Sequence, residues 1–255
     1  MDYESIIVSE KEGIGRITFN KPPLNVMDIP MMNEINSALE YFQERTLKAL
    51  VLDAEGKAFS AGVDVSDHSG NKAVEMIEVF HAIFTNMRKI SAPIVAVAKG
   101  AALGGGCEVA LFCDIVLASE KAKFGQPEIK VGVFPPVAAA IFPKILGEKK
   151  ALELLLTGDI VRGAEAKELG LVNQVFPIDN FEEETEGWIR EKLASNSAVV
   201  LKFTKKAFIE GATKNYPEAI QAIERIYLEK LMKTHDANEG LGAFLEKRKP
   251  VWKDE

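Results

Sequence analysis

The stretch Ile94-Val95-Ala96-Val97-Ala98-Lys99-Gly100-Ala101-Ala102-Leu103-Gly104-Gly105-Gly106-Cys107-Glu108-Val109-Ala110-Leu111-Phe112-Cys113-Asp114-Ile115-Val116-Leu117-Ala118 decides the fold. Behind Pro93, Ile94 to Ala98 form a continuous apolar run, as in a strand buried on both faces. Gly104-Gly105-Gly106 open a short apolar helix, and Ile115 to Ala118 make a further run. Lys99, Glu108 and Asp114 break the stretch, so it is a poor membrane span. Upstream, Leu47 to Leu52 repeat the buried-strand signature and end at Asp53. Helical spacing occupies Ile29 to Arg45, and again Asn71 to Lys89 through Val74, Ile77, Phe80, Ile83, Phe84 and Met87. Ile6-Ile7-Val8 and Gly15 to Phe19 flank a Glu12-Gly13 turn and predict a hairpin. From Pro136 onward the pattern reads as nearly all helical, apart from Leu171-Val172-Asn173-Gln174-Val175. Strand and helix alternate, so the class is α/β with a helical C-terminal third. No internal repeat and no low-complexity linker is visible.

The 255 residues are 47% apolar and 27% charged, the balance of a folded globular chain with a sizeable core. With 31 Lys and Arg against 38 Asp and Glu, the net charge of -7 disfavours a dedicated nucleic-acid binder. The two cysteines, Cys107 and Cys113, read as small buried hydrophobes, and His68, His81 and His235 are scattered, so no metal site is expected. The start, Met1-Asp2-Tyr3-Glu4, carries acids where a signal peptide wants a basic flank. A cytoplasmic chain is expected, without a membrane partner.

Three pieces can carry chemistry. They are Phe59-Ser60-Ala61-Gly62-Val63-Asp64, then Gly100 to Glu108, then Phe124-Gly125-Gln126-Pro127-Glu128. Glycines at a strand-to-helix junction let backbone approach a ligand and leave N–H groups unpaired, which suits an anion or a developing oxyanion. Glu108 sits in an otherwise apolar helix, where a carboxylate needs a partner or a task. Glu128 could join it in proton transfer. Blander readings stand beside these: glycines for close packing, Glu108 in a structural ion pair, Glu128 on the surface. A dinucleotide fingerprint and a Walker A loop are both missing, and Ser60 has no nearby elbow motif or histidine partner. Spacing alone reaches no further than acid/base catalysis.

On these residues the chain resembles the enoyl-CoA hydratase (crotonase) superfamily. The resemblance runs from Gly15-Arg16-Ile17-Thr18-Phe19-Asn20-Lys21-Pro22 to Phe244-Leu245-Glu246-Lys247-Arg248-Lys249. It is carried by Ala102 to Glu108, Phe124 to Ile129, Ala61 to Asp64 and Leu156-Thr157-Gly158-Asp159. It implies a spiral ββα core over residues 1–195. Residues 196–255 would form a helical region that covers CoA and joins subunits into a homotrimer or a hexamer of two trimers. It implies a CoA thioester substrate, with CoA as the handle of the substrate and no separate cofactor. The backbone N–H groups of Val63 and Gly105 would form the oxyanion hole. Glu108 and Glu128 match the two glutamates of the hydratases, and keeping both favours water addition over isomerisation. Leu24, Ala61, Asp64, Val65, Ser66, Phe134, Phe244 and Lys247 would line the path of substrate and CoA. Lys247 follows Phe244 by three residues, which on a continuing helix shares one face with it.

One stretch departs from the family pattern. After Gly132 stands Val133-Phe134-Pro135-Pro136-Val137, stiff and apolar where typical hydratases have a glycine-rich polar run. This variant is similar to the cyclic dienoyl-CoA hydratases of anaerobic aromatic degradation, which implies a ring substrate, cyclohexadienecarbonyl-CoA. The alternatives are straight-chain hydration, double-bond isomerisation, or a non-catalytic RNA-binding or scaffold role. The acidic balance counts against RNA.

Overall fold

The computed structural model describes residues 3–68 and 70–255. In chain order the strands are β1 (Ile6–Lys11), β2 (Ile14–Phe19), β3 (Ala49–Ala54), β4 (Ala58–Ser60), β5 (Ile94–Ala98), β6 (Ala101–Leu103), β7 (Ile115–Ser119), β8 (Lys123–Gly125), β9 (Ile160–Arg162) and β10 (Gln174–Phe176). The helices are α1 (Ile29–Gln43), α2 (Lys72–Lys89), α3 (Gly105–Phe112), α4 (Pro136–Leu146), α5 (Glu148–Thr157), α6 (Gly163–Glu168), α7 (Phe181–Ile189), α8 (Ala198–Ala212), α9 (Tyr216–Glu229) and α10 (His235–Leu245). Short 3-10 turns at Val65–His68 and Pro127–Val131 border the site described below.

The predicted hairpin pairs β1 with β2 antiparallel, Ile6 opposite Phe19. From β2 the sheet continues in parallel through β3, β5, β7 and β10. Its middle strands read as unbroken apolar runs because both faces are covered. Leu50, Leu52, Ile94, Ala96 and Ala98 point into the main core with α1 and α2, whereas Val51, Val95, Val97 and Leu117 pack with Phe181, Ile189 and Leu193. The first of those helices starts at Asp28, whose carboxylate accepts from Met31 N, and it buries Met31, Met32, Ile35, Ala38, Leu39 and Phe42 along one stripe. Truncating fully buried Phe42 to alanine would cost about 3–5 kcal/mol.

A second sheet, ordered β4-β6-β8-β9, was not foreseen. Its strands have three residues each, too few for a periodic signature to show. One sequence expectation is corrected here. The C-terminal third is not purely helical before residue 171, because Ile160–Arg162 adds an antiparallel edge to β8. The spiral ββα core that the resemblance implies is present: β3-β4-α2, β5-β6-α3 and β7-β8-α4 each run from the large sheet to the small one and then into a helix. The repeat escapes the eye in sequence because each unit shares a backbone path and not a residue pattern.

The last helices are tied to the core by polar anchors. Lys205 Nζ donates to Asp114 (2.7 Å) and to the Ala92 carbonyl (2.9 Å). Buried Asp236 accepts from Lys253 N and Asp254 N, both at 2.9 Å, which folds the tail back onto the start of α10. Burial is outweighed there by those donors together with Ser197 and His235, and the carboxyl is held down at about 2. Among the described residues no helix is long and apolar enough to cross a membrane.

Candidate active site

The glycine run turns β6 into α3, the most enclosed helix of the molecule, buried from Gly105 through Leu111. Gly104 takes φ +52°, and a Cβ there would stand 2.5 Å from Glu128 Oε1. A Cβ on Gly105 would meet Val63 Cγ2 at 2.8 Å and the Phe80 ring at 3.0 Å. Only backbone fits between these groups. Val63 forms a parallel bridge with Met27 in which Met27 N donates to Gly62 O and Asp64 N donates to Met27 O. That pairing leaves the Val63 N–H out. Gly105 N–H opens α3, where no preceding helical carbonyl can receive it.

Glu108 is 2% exposed. Its Oε1 accepts from Ala138 N at 2.7 Å, and Val137 N–H also donates to the carboxyl. These are the first amides available in α4, since Pro136 brings none and Pro135 supplies no side-chain cap. A carboxylate from another helix thus caps α4, with the helix dipole in its favour. Burial outweighs these donors, and negative charge on Glu128 adds to it, so the Glu108 carboxyl is pushed up to about 7.

Glu128 projects from the 3-10 turn that follows β8, half-buried. Gln126, fully buried, lies with its amide nitrogen 3.2 and 3.3 Å from the two Glu128 oxygens and 3.2 Å from the Gly104 carbonyl, the orientation in which donor meets acceptors. Burial raises Glu128 as well, opposed by its own backbone N–H and by charge on His68. Cys107 is buried beside the pair and burial drives its thiol up, so it stays protonated and inert.

Both carboxylates open into one cleft of about 790 Å³. Ala73, Met76, Ile77 and Phe80 of α2 form one wall, and Val133, Phe134, Pro135 and Pro136 form another. Of the residues proposed from sequence, Ala61, Val63, Val65, Gly105, Glu108, Glu128 and Phe134 line it. Leu24 is adjacent, its carbonyl accepting from Ala61 N at 2.9 Å. Asp64 and Ser66 do not line it; they flank Val65 in the chain, and the Asp64 carboxylate accepts from Ser66 N at 2.8 Å. Phe244 and Lys247 are not brought to the cleft within this chain. The shared helical face expected for them is corrected: α10 ends at Leu245, and Lys247 turns away with φ +56°. Sequence reading missed Gln126, His68 and the α2 wall. A polar side chain wedged between a strand and Pro127 was the signal for Gln126; the α2 residues looked like ordinary core because they also serve as core.

The residues from 9 to 255 match the family model described as enoyl-CoA hydratase/isomerase, and the chain belongs to that family. With its relatives it is an enzyme of the enoyl-CoA hydratase type, a hydro-lyase. It is 36% identical over 247 residues to the cyclohexa-1,5-dienecarbonyl-CoA hydratase of Thauera aromatica, covering 96% of this chain and 95% of that one. It is 37% identical over 252 residues to a probable mitochondrial enoyl-CoA hydratase of Dictyostelium discoideum, covering 96% and 89%. The crystal structure of the Bacillus anthracis enoyl-CoA hydratase superposes with a TM-score of 0.89 at 30% identity, covering 99% and 100%.

Proposed function

We propose that this enzyme adds water reversibly to a carbon–carbon double bond conjugated with a CoA thioester, and that its preferred acyl group is the ring of cyclohexadienecarbonyl-CoA. The observation that carries the reading is the meeting of buried Glu108 and half-buried Glu128 with the Val63 and Gly105 N–H groups, which donate to no partner among the described residues, in one apolar cleft. The thioester draws electron density from the double bond, so attack by water at the far carbon leaves an enolate-like oxyanion. Val63 N–H and Gly105 N–H would receive that charge; loss of one such donor commonly costs ~3 kcal/mol. The two glutamates hold the water, take its proton and deliver one to the α carbon. Their environments push both proton affinities toward neutrality, where a group both gives and takes protons well. The pair and the oxyanion hole account for every proton and charge in this step, so CoA enters only as the handle of the substrate.

The ring preference is supported by Pro135 and Pro136. Their fixed φ and missing N–H groups make a wall that adapts little, suited to a flat six-membered ring. The Thauera relative bears a matching name. CoA would run past Leu24, Ala61, Asp64, Val65 and Ser66. Phe244 and Lys247 would reach it from a neighbouring subunit of a trimer or hexamer. The supporting feature is the set of exposed apolar side chains on the last helices, with Phe208 at 74%, Phe244 at 81% and Leu245 at 80% exposure. Parallel kinetics with cyclohexadienecarbonyl-CoA and crotonyl-CoA, separating hydrated from isomerised products, test the reading. We expect the ring to be favoured tens- to hundreds-fold in kcat/KM, the scale of about 1–3 kcal/mol from a few apolar contacts. Faster hydration of crotonyl-CoA would leave a general hydratase, and isomerised product alone would refute hydration.

A further inference from the structure

Several helices of this molecule carry their own cap. Asp28, Ser197, Asn215 and Thr234, each just ahead of its helix, accept from the amide three residues on. The donors are Met31 N (3.1 Å) in α1, Val200 N (3.4 Å) in α8, Glu218 N (3.2 Å) in α9 and Ala237 N (3.2 Å) in α10. Helix α4 departs from them. Its capping position is Pro135, whose side chain can accept nothing. Yet the Pro135 backbone (φ −85°, ψ 107°) is extended, like that of Ser197 (φ −68°, ψ 131°) and Thr234 (φ −79°, ψ 151°).

A helix opens with four amides that have no intrahelical partner. In α4 two of them do not exist, because Pro135 and Pro136 have no N–H. The Pro135 carbonyl accepts from Ala139 N at 3.0 Å, so the helical ladder begins there. The two amides in between, Val137 and Ala138, both donate to the Glu108 carboxyl, Ala138 N at 2.7 Å. Ala138 N is also the amide that a polar side chain at position 135 would take, by the spacing used in α1, α8, α9 and α10. Buried Pro135 and Glu108 line the same cleft. We infer that Pro135 is a positioning residue for the hydration proposed above: offering no acceptor of its own, it reserves the opening amides of α4 for Glu108 and so fixes that carboxyl on the cleft wall. One turn of chain then sets both the acyl wall and the orientation of a reacting acid. Its effect on rate rests on the hydratase reading; its effect on capping does not.

The test compares Pro135→Ser with Pro135→Ala in the full chain. Both lose the proline ring and gain an N–H, so they differ only in the hydroxyl. A buried hydroxyl without a partner is costly, which drives it to the Ala138 amide in place of Glu108. Pro135→Ser is therefore expected to show a kcat about ten-fold below that of Pro135→Ala, with KM values within about two-fold of each other. Glu108→Ala frees both amides. On that background Pro135→Ser should melt about 2–4 °C above Pro135→Ala, the scale of one N-cap, and with Glu108 present the margin should vanish. Glu108→Leu, closer to the original volume, serves as the background should Glu108→Ala fail to fold. Equal kcat for the two variants, or a melting margin that is the same with and without Glu108, overturns the assignment. A wild-type enzyme that hydrates neither cyclohexadienecarbonyl-CoA nor crotonyl-CoA would instead overturn the hydratase reading, and the melting comparison, which needs no substrate, would still decide on Pro135.

Discussion

Helices α3 and α10 are both short, of 8 and 11 residues, and they behave in opposite ways. Nearly all of α3 is enclosed by its own chain, and the environment of its one acid is set within a single subunit. On α10 only Asp236 and Ala243 are buried, while Leu241, Phe244 and Leu245 stand in water. The difference teaches where chemistry and docking reside. Changes on α3 should alter proton transfer with little effect on how the molecule meets others. Changes on α10 should leave proton transfer intact and alter what the surface holds.

The largest expected effect lies at the enclosed end. Glu108→Gln and Glu128→Gln should each lower kcat by about 10²- to 10⁴-fold, because general acid/base groups contribute on that scale. Circular dichroism should show the fold unchanged. A variant retaining wild-type turnover would break the comparison at its root.

A smaller effect sharpens it. The folded Glu108 carboxyl sits at about 7, above its ordinary value of 4.5, so the native state binds its proton more tightly than the unfolded chain does. Stability is therefore lost as pH rises through that window, by at most about 3 kcal/mol once above it. Glu108→Gln removes the loss. Denaturant melts should show the variant gaining on wild type between pH 5 and 8, with no pH-dependent gain at pH 4. A difference that stays constant with pH would show that burial of Glu108 carries no charge penalty.

The smallest effect belongs to the exposed end. Lys247→Ala should raise KM for the acyl-CoA about two- to five-fold at low salt and leave kcat unchanged, since an exposed ionic contact is worth ~0.2–1 kcal/mol. The shift should fade with added salt. An unchanged KM at low salt would remove Lys247 from CoA binding and leave α10 to contacts between proteins alone.

Much of this molecule could be read before it was folded, for reasons specific to each element. Ile94 to Ala98 announced itself as a doubly covered strand because every residue had to be apolar. The three glycines announced a close approach that side chains would block, and at Gly104 the blocked atom is a Glu128 oxygen. By contrast, Ala58-Phe59-Ser60 and Ala101-Ala102-Leu103 gave no strand signal, since three residues hold barely one period of alternation. Phe80 and Ile77 satisfied the helical pattern of a core residue, and nothing in that pattern tells a core wall from a cavity wall. Lys247 lay at helical spacing from Phe244, yet the helix ended first.

The sequence by itself determined the apolar strands, the glycine turn, the lone acid of α3 and the family to which they belong. These follow from local rules: side-chain period, backbone sterics, and the expense of burying charge. Only the tertiary structure decided that Glu108 caps α4, that Gln126 holds both oxygens of Glu128, and that His68 shares their cavity. Each of those facts joins segments that no local rule connects. The proton affinity of a carboxyl depends on the summed burial and charge contributed by all of them at once, so it comes into being only when the chain closes around it.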